Sequence, residues 1–368
     1  MDSFKHMNLP PKLEGALKAM AFHVPTPIQQ KAIPEILSGK DLLGCAQTGT
    51  GKTAAFCIPL ICHLLKHRDQ SALILVPTRE LAFQIIDVLK KMTISFPELR
   101  TALLIGGASM SVQIQALYRK PQIIVGTPGR VIDHLTRKTL RVHSTKFLVL
   151  DEADRMLDMG FHEQIREIFR FLPQPRQTLL FSATFPIDIK NLAKKYLKCP
   201  IYVSAGLDSQ PVEKIKQMAI QTTLETKNET LLNALRERSG SILIFTRTKR
   251  RTDRLAKFLK DKKFPADRIH GGLSQLQRNT AIREFRSSKN RILVATDMAS
   301  RGLDILHIEH VINYDLPVVP EDYVHRIGRT ARAGAKGEAL SLLVPDDYIV
   351  WKKISQLYKI PASTKISN

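Results

Sequence analysis

Short apolar runs rich in β-formers recur along the chain, each closed by a polar or glycine-containing loop. They are Ala72–Val76, Ala102–Ile105, Gln122–Val125, Phe147–Leu150, Thr178–Phe181, Ile242–Phe245, Ile292–Ala295 and His310–Asn313. Helical patterns lie between many of them, at Glu80–Met92, Phe161–Phe171, Arg250–Lys260 and Gln277–Phe285. Continuous apolar strands alternating with helices predict an α/β chain whose parallel sheets are covered on both faces. In such sheets ligands bind outside the carboxyl ends of the strands. Chemistry is therefore expected in the loops after the strands, such as Pro77–Glu80, Gly106–Gly107, Gly126–Arg130, Asp151–Asp154 and Ser182–Thr184.

The 368 residues exceed what one ordinary core organises and suit two domains. The helix–strand rhythm lapses around Ser204–Val212, which places a first domain at 1–207, a linker at 208–212 and a second domain at 213–368. The net charge is +22, and each half split at Leu207 carries +11, so the excess is spread and not a basic tail. Such a surface suits a polyanionic partner. Four cysteines without a CxxC pair suggest neither a zinc site nor a disulfide framework. Reduced thiols, an N-terminus unlike a signal peptide and the lack of a long apolar run lead to the expectation of a cytoplasmic protein with no membrane partner.

Ala46–Thr53 follows an apolar stretch at Asp41–Cys45 and precedes an apolar helix, Ala54–Leu65. This is the strand–loop–helix setting of a phosphate-binding loop. Gly49, Thr50 and Gly51 would let backbone N–H groups turn toward phosphate oxygens. Lys52 would reach the β- and γ-phosphates of ATP, and Thr53 would ligate Mg²⁺. Ala46 departs from the usual leading glycine. Asp151 and Glu152 follow the strand Phe147–Leu150. Asp151 suits Mg²⁺, which takes one or two carboxylates and keeps its waters, and Glu152 would activate the attacking water.

These motifs, with Pro77–Ala82, Thr127–Arg130, Ser182–Thr184, Ala295–Asp304 and His325–Arg332, resemble the ordered motifs of DEAD-box RNA helicases over about residues 2–350. Compactness brings it nearest to the bacterial RhlE-like group. The resemblance implies two RecA-like domains joined by a flexible linker. It implies that Phe22 stacks on adenine and that Gln29 reads its edge, with Phe4 as an upstream buttress. Ala21 and Ala331 stand where the family often has glycine. Arg329 and Arg332 are implied arginine fingers, with His325 beside them. Gly302 and Asp304 would contact the nucleotide, and Asp154, Ser182 and Thr184 would couple the domains.

The resemblance also implies an RNA path, as single strand or short duplex. Its contacts on the first domain would be Pro77, Thr78, Arg79, Gly106, Gly107, Thr127, Gly129 and Arg130. On the second they would be Thr246, Arg247, Gly271, Gly272, Gln275, Arg278, Thr296 and Asp297. Aromatics make up only 6% of the chain, and none interleaves these loops, so backbone contact is expected rather than base stacking. The expected activity is RNA-stimulated ATP hydrolysis coupled to lobe closure and local unwinding or remodelling, by a monomer whose specificity comes from protein partners. An ATP-gated RNA clamp would use the same residues. A DNA-translocating helicase would share the phosphate loop alone.

Overall fold

Alternate residues of each central strand enter two different cores. In β2 (Ser71–Leu75), Ala72 and Ile74 join one apolar cluster, whereas Leu73 and Leu75 join another. In β5 (Thr145–Leu150), Phe147 and Val149 face the first cluster and Leu148 and Leu150 the second. A period of two with both faces apolar is what a strand covered by helices above and below requires.

The structure is a computed structural model that describes residues 3–46, 49–205, 215–300, 308–331, 337–358, 360 and 364–366. The chain divides into two units, Met1–Leu207 and Asp208–Asn368. The first holds β1 (Leu42–Ala46), β2, β3 (Thr101–Leu104), β4 (Ile123–Gly126), β5, β6 (Gln177–Ser182) and β7 (Ile201–Ala205). They form one sheet in the order β3-β4-β2-β5-β6-β1-β7, and every pairing is parallel. Parallel pairing sends all the following loops to one end. Because β2, β5, β6 and β1 are neighbours, the loops that follow Leu75, Leu150, Ser182 and Ala46 start from adjacent strands.

The second unit contains β8 (Ile215–Gln221), β9 (Ile242–Phe245), β10 (Ala266–Ile269), β11 (Ile292–Ala295), β12 (His310–Asn313), β13 (Gly337–Leu343) and β14 (Thr364–Ile366). Its order is β10-β11-β9-β12-β13-β8-β14, again all parallel. The split of faces recurs here, with Ile242 and Ile244 in one cluster and Leu243 and Phe245 in another.

The helix Lys52–Lys66 is the spine of the first unit. Phe56, Ile58, Leu60, Ile61 and Leu64 are fully buried along it. Each such burial stabilises by about 1.5–3 kcal/mol, so the position where this helix begins is firmly set. The regular secondary structure runs on into the start of the stretch where the helix–strand rhythm lapses. Ser204 and Ala205 belong to β7 and pair with Cys45 and Ala46 of β1, because the free edge of β1 offers a ladder to that stretch. The expected linker, 208–212, lies outside the described residues. Among the described residues no helix is long and apolar enough to cross a membrane.

Candidate active site

The phosphate loop leaves β1, and the described part of it turns on two glycines. Gly49 has φ +88° and Gly51 has φ +94°, a region that a side chain rarely tolerates. Gly51 caps the helix Lys52–Lys66. A Cβ at Gly51 would also stand 2.5 Å from Nε2 of Gln29 and 2.9 Å from Oγ1 of Thr26, so the position excludes one twice over. Gln29 is the reason for the crowding. Its Nε2 donates to the Gly51 carbonyl at 3.0 Å, and its Oε1 accepts from Thr26 N at 2.9 Å. With Thr26 it forms the capping box of the helix Pro27–Leu37. Phe22 is half-buried against the first core cluster, and Phe4 lies within that cluster.

Lys52 is buried at 5% exposure, and its Nζ has no hydrogen-bond partner among the described residues. A buried ammonium without a partner is costly, and it marks a place built for an anion. Asp151 is also buried, and its Oδ1 accepts from Glu152 N at 3.0 Å. Burial pushes its carboxyl up to about 6, although the Lys52 charge pulls it back. This pair fits a Mg²⁺–polyphosphate group. Among the described residues no three His, Cys, Asp or Glu side chains gather as an all-protein metal cage. An ion that keeps its waters and shares phosphate oxygens needs no such cage.

Glu152 adopts φ +52° and ψ +50°, a left-handed conformation for a residue with a Cβ. Strain of this kind collects at functional turns. Its Oε2 is ion-paired with Arg155, a buried residue that the sequence reading did not single out. The spacing of three residues on one helical turn could have signalled that pair. Asp154 reaches the neighbouring strand end. Its Oδ2 accepts from Ala183 N at 3.1 Å, from Thr184 N at 2.9 Å and from the Thr184 hydroxyl at 2.9 Å. Ser182 Oγ donates to the Thr184 carbonyl at 2.6 Å. The loops after β5 and β6 are thereby tied into one piece.

The expected RNA contacts of the first unit come together at the same sheet end. Thr78 Oγ1 caps the helix Arg79–Met92 by accepting from Leu81 N at 3.3 Å. The Arg79 guanidinium lies against Gly106 and Gly107, and a Cβ at Gly107 would collide with it. Arg130 Nη1 donates to the Ala108 carbonyl at 3.1 Å. Pro77 and Thr127 lie in the adjoining turns and are buried, and Gly129 lies in the first turn of the helix Pro128–Thr136.

The second unit arranges its expected residues less uniformly. Gly271 and Gly272 are exposed, and Gly272 N donates to His270 Nδ1 at 3.1 Å. Arg247 N donates to Asp315 at 2.9 Å, which fixes the turn after β9. Thr246 is fully buried, with its hydroxyl 2.7 Å from that of Thr252, so it lines the interior beneath the loop. Arg278 is half-buried and Thr296 is buried. Asp297 accepts a two-point pair from Arg326, at 2.6 Å to Nε and 2.7 Å to Nη2. Arg326 is 2% exposed and also lies over the Phe245 ring at 4.9 Å. Sequence reasoning missed this arginine because nothing in the letters separates a buried structural arginine from its neighbours in His325–Arg332. His325 sits in the helix Glu321–Ile327, and Arg329 is buried just after it. Gly302, Asp304 and Arg332 lie outside the described residues, as does the side chain of Gln275.

The two alanines at glycine positions both prove to be backbone statements. Ala21 has φ +59° and Ala331 has φ +56°.

Strand, phosphate loop, helix and a buried acidic strand end together make the nucleotide site of a P-loop enzyme. The DEAD/DEAH box helicase family model matches residues 26–192, and the helicase conserved C-terminal domain matches residues 226–334. The chain is 43% identical to the DEAD-box ATP-dependent RNA helicase CshA of Geobacillus kaustophilus, over 99% of this chain and 77% of that protein. Identity to the CshA helicase of Bacillus subtilis is 42%, over 97% of this chain and 72% of the relative. Among solved structures, S. cerevisiae Dbp5 bound to RNA and ADP BeF3 superposes with a TM-score of 0.87 at 32% identity, covering 100% of this chain and 96% of that one. Mss116p bound to ssRNA and AMP-PNP gives a TM-score of 0.89 at 28% identity, covering 99% and 78%. The chain belongs to the DEAD-box ATP-dependent RNA helicases, a family of RNA-dependent ATPases with two RecA-like domains. The relatives named here are CshA proteins.

Proposed function

We propose that the chain binds ATP with Mg²⁺ at the phosphate loop of its first unit, grips RNA by backbone contacts on both units, and couples hydrolysis to closure of the two. The observation that carries this reading is the buried Lys52 ammonium without a described partner, beside the buried Asp151 carboxylate. An anion satisfies the first, and a divalent cation satisfies the second. Mg²⁺ would supply charge neutralisation across the phosphate oxygens, with Asp151 and Thr53 holding it. Gly49, Thr50 and Gly51 would direct backbone N–H groups at the phosphates, and Lys52 would place its charge between β and γ. Gln29 keeps one N–H and one lone pair beyond its bonds to Gly51 and Thr26, enough to read an adenine edge while Phe22 stacks on the base. Glu152 would take the proton of the attacking water.

The first domain, 1–207, would thus hold the nucleotide, and the second, 213–368, would complete the site through the linker 208–212. Arg329 and Arg332 would meet charge that spreads over the transferred phosphoryl oxygens, with His325 steadying them. Gly302 and Asp304 would contact the nucleotide from the same side. Asp154, already bonded to the Ala183–Thr184 turn, would carry the state of the nucleotide site toward the second unit with Ser182 and Thr184. Closure would bend one strand and open a short duplex locally, and loss of phosphate would release it. Dbp5 and Mss116p in the structures above are bound to RNA together with a nucleotide analogue, which supports RNA as the partner.

The test is steady-state phosphate release with saturating RNA in Lys52→Ala. The expected loss is about two orders of magnitude or more. Activity within about threefold of the unmodified chain would overturn the phosphate assignment.

A further inference from the structure

The loop between β3 and the helix Met110–Tyr118 carries Gly106 and Gly107, and a single buried side chain fixes its shape. Gln113, 4% exposed, accepts from Ile105 N at 3.1 Å and donates to Ile105 O at 3.0 Å. The carbonyls of Ala108 and Ser109 each lie 3.4 Å from its Nε2. Both polar groups of Ile105 are therefore taken by one amide, and neither of its peptides can turn without breaking a bond. Behind it, His134 Nε2 lies 3.4 Å from Gln113 Oε1. His134 is fully buried on the helix Pro128–Thr136, the helix that also carries Arg130.

The bracketed loop is a meeting point. Arg130 donates to Ala108 O at 3.1 Å from one side, and the Arg79 guanidinium lies against Gly106 and Gly107 from another. Three stretches far apart in sequence, at 79, 106–107 and 130, thus share one backbone template. A shift of that template would move two arginines and a glycine pair together. We propose that Gln113, backed by His134, is a positioning residue that sets the shape of the RNA-gripping surface of the first unit. The inference rests on the RNA reading of Arg79, Gly106, Gly107 and Arg130. Neither Gln113 nor His134 is among the residues that the motifs assign to RNA.

The test uses the full chain with Gln113→Leu, which keeps the bulk and removes every polar bond. The measurements are the RNA concentration giving half-maximal ATPase rate, the maximal rate, the KM for ATP and the melting temperature. Half-saturation by RNA is expected to rise by about tenfold. The maximal rate and the KM for ATP should stay within about twofold, a split that general loosening of the fold would not produce. In a double-mutant cycle, Arg130→Ala should cost less RNA affinity in the Gln113→Leu background than alone, because the two act through one loop. An unchanged half-saturation in folded Gln113→Leu, with Arg130→Ala still harmful, overturns the positioning role. If Arg79→Ala and Arg130→Ala are also silent, it is the RNA reading of this face that has failed, and the inference falls with it. Should Gln113→Leu fail to fold, His134→Asn removes the support from behind and leaves the bonds to Ile105. It is expected to raise half-saturation by about threefold, and no rise overturns the proposal.

Discussion

At the position proposed to hold Mg²⁺, Asp151 is a single buried carboxyl group whose titration the fold displaces. Burial raises its titration to about 6 from the ordinary 3.8, because desolvation outweighs the nearby Lys52 charge. The folded protein therefore holds this proton over a pH range in which the unfolded chain has released it. That contribution to stability is complete below pH 3.8 and is lost as pH rises through about 6. Ligand binding has the opposite sign, since a divalent cation needs the ionised form. Mg²⁺-dependent ATP affinity, measured by titration calorimetry, is expected to weaken as pH falls below about 6. Asp151→Asn should raise the melting temperature of the ligand-free protein at pH 7 while abolishing turnover. A lower melting temperature would show that the carboxylate stabilises the fold.

Ala21 and Ala331 make a second point at the same scale. Read as letters, each is a small residue in place of glycine. The structure gives both a left-handed backbone, at φ +59° and +56°. Such a conformation costs an L-residue roughly 1–2 kcal/mol, whereas glycine loses about 0.5–1 kcal/mol of chain entropy on folding. Ala21→Gly should therefore stabilise the first unit by about 0.5–1 kcal/mol, read as a higher urea midpoint. An unchanged or lower midpoint would mean that the strain is relieved elsewhere.

At the scale of elements, the Pro27–Leu37 helix and the phosphate loop behave as one device. The sequence offers Gln29 as a reader of adenine, and the structure adds that its amide already holds the Gly51 carbonyl. Gln29→Ala should therefore do two things. It should lessen the preference for ATP over GTP, and it should weaken GTP as well, because the loop loses its anchor. Equilibrium binding of both nucleotides distinguishes the effects, and an unchanged ATP/GTP ratio would remove Gln29 from the adenine site.

Elements also show what the sequence could carry. Ile242–Phe245 and Ile292–Ala295 are strands at the predicted residues because unbroken apolar runs leave few alternatives, and His310–Asn313 is one too, with its apolar Val311 and Ile312 at the centre. β13 was not legible. Gly337–Leu343 contains Glu, Ala and Leu, which favour helices, and it becomes a strand because β12 and β8 pair with it on both sides. β10 escaped notice too, since Ala266–Ile269 is short and carries Asp267 and Arg268. In the site, the glycines, Lys52 and the acidic loop were legible from type and spacing. Arg326 and Gln113 were not, because burial and bonds to residues outside their own helical turn give them their roles. Arg155 was passed over although its spacing from Glu152 carried the signal.

At the scale of the whole molecule, the proposed chemistry is divided. Lys52, Asp151 and Glu152 belong to the first unit, and His325 and Arg329 belong to the second. Neither unit should turn over ATP at a useful rate alone, since an arginine finger contributes about 10³–10⁵ in rate only within reach of the γ-phosphate. The even spread of positive charge, +11 on each half, also suits a strand held by both units. The most direct measurement is energy transfer between one dye on each unit of the full chain. Exposed positions such as Tyr118 and Ile349 can carry the dyes, with the exposed Cys199 replaced by serine. The account predicts a clear change in transfer efficiency when RNA and a non-hydrolysable ATP analogue are present together, and little with either alone. No change with both present, in a labelled protein that keeps its RNA-stimulated ATPase activity, would contradict it.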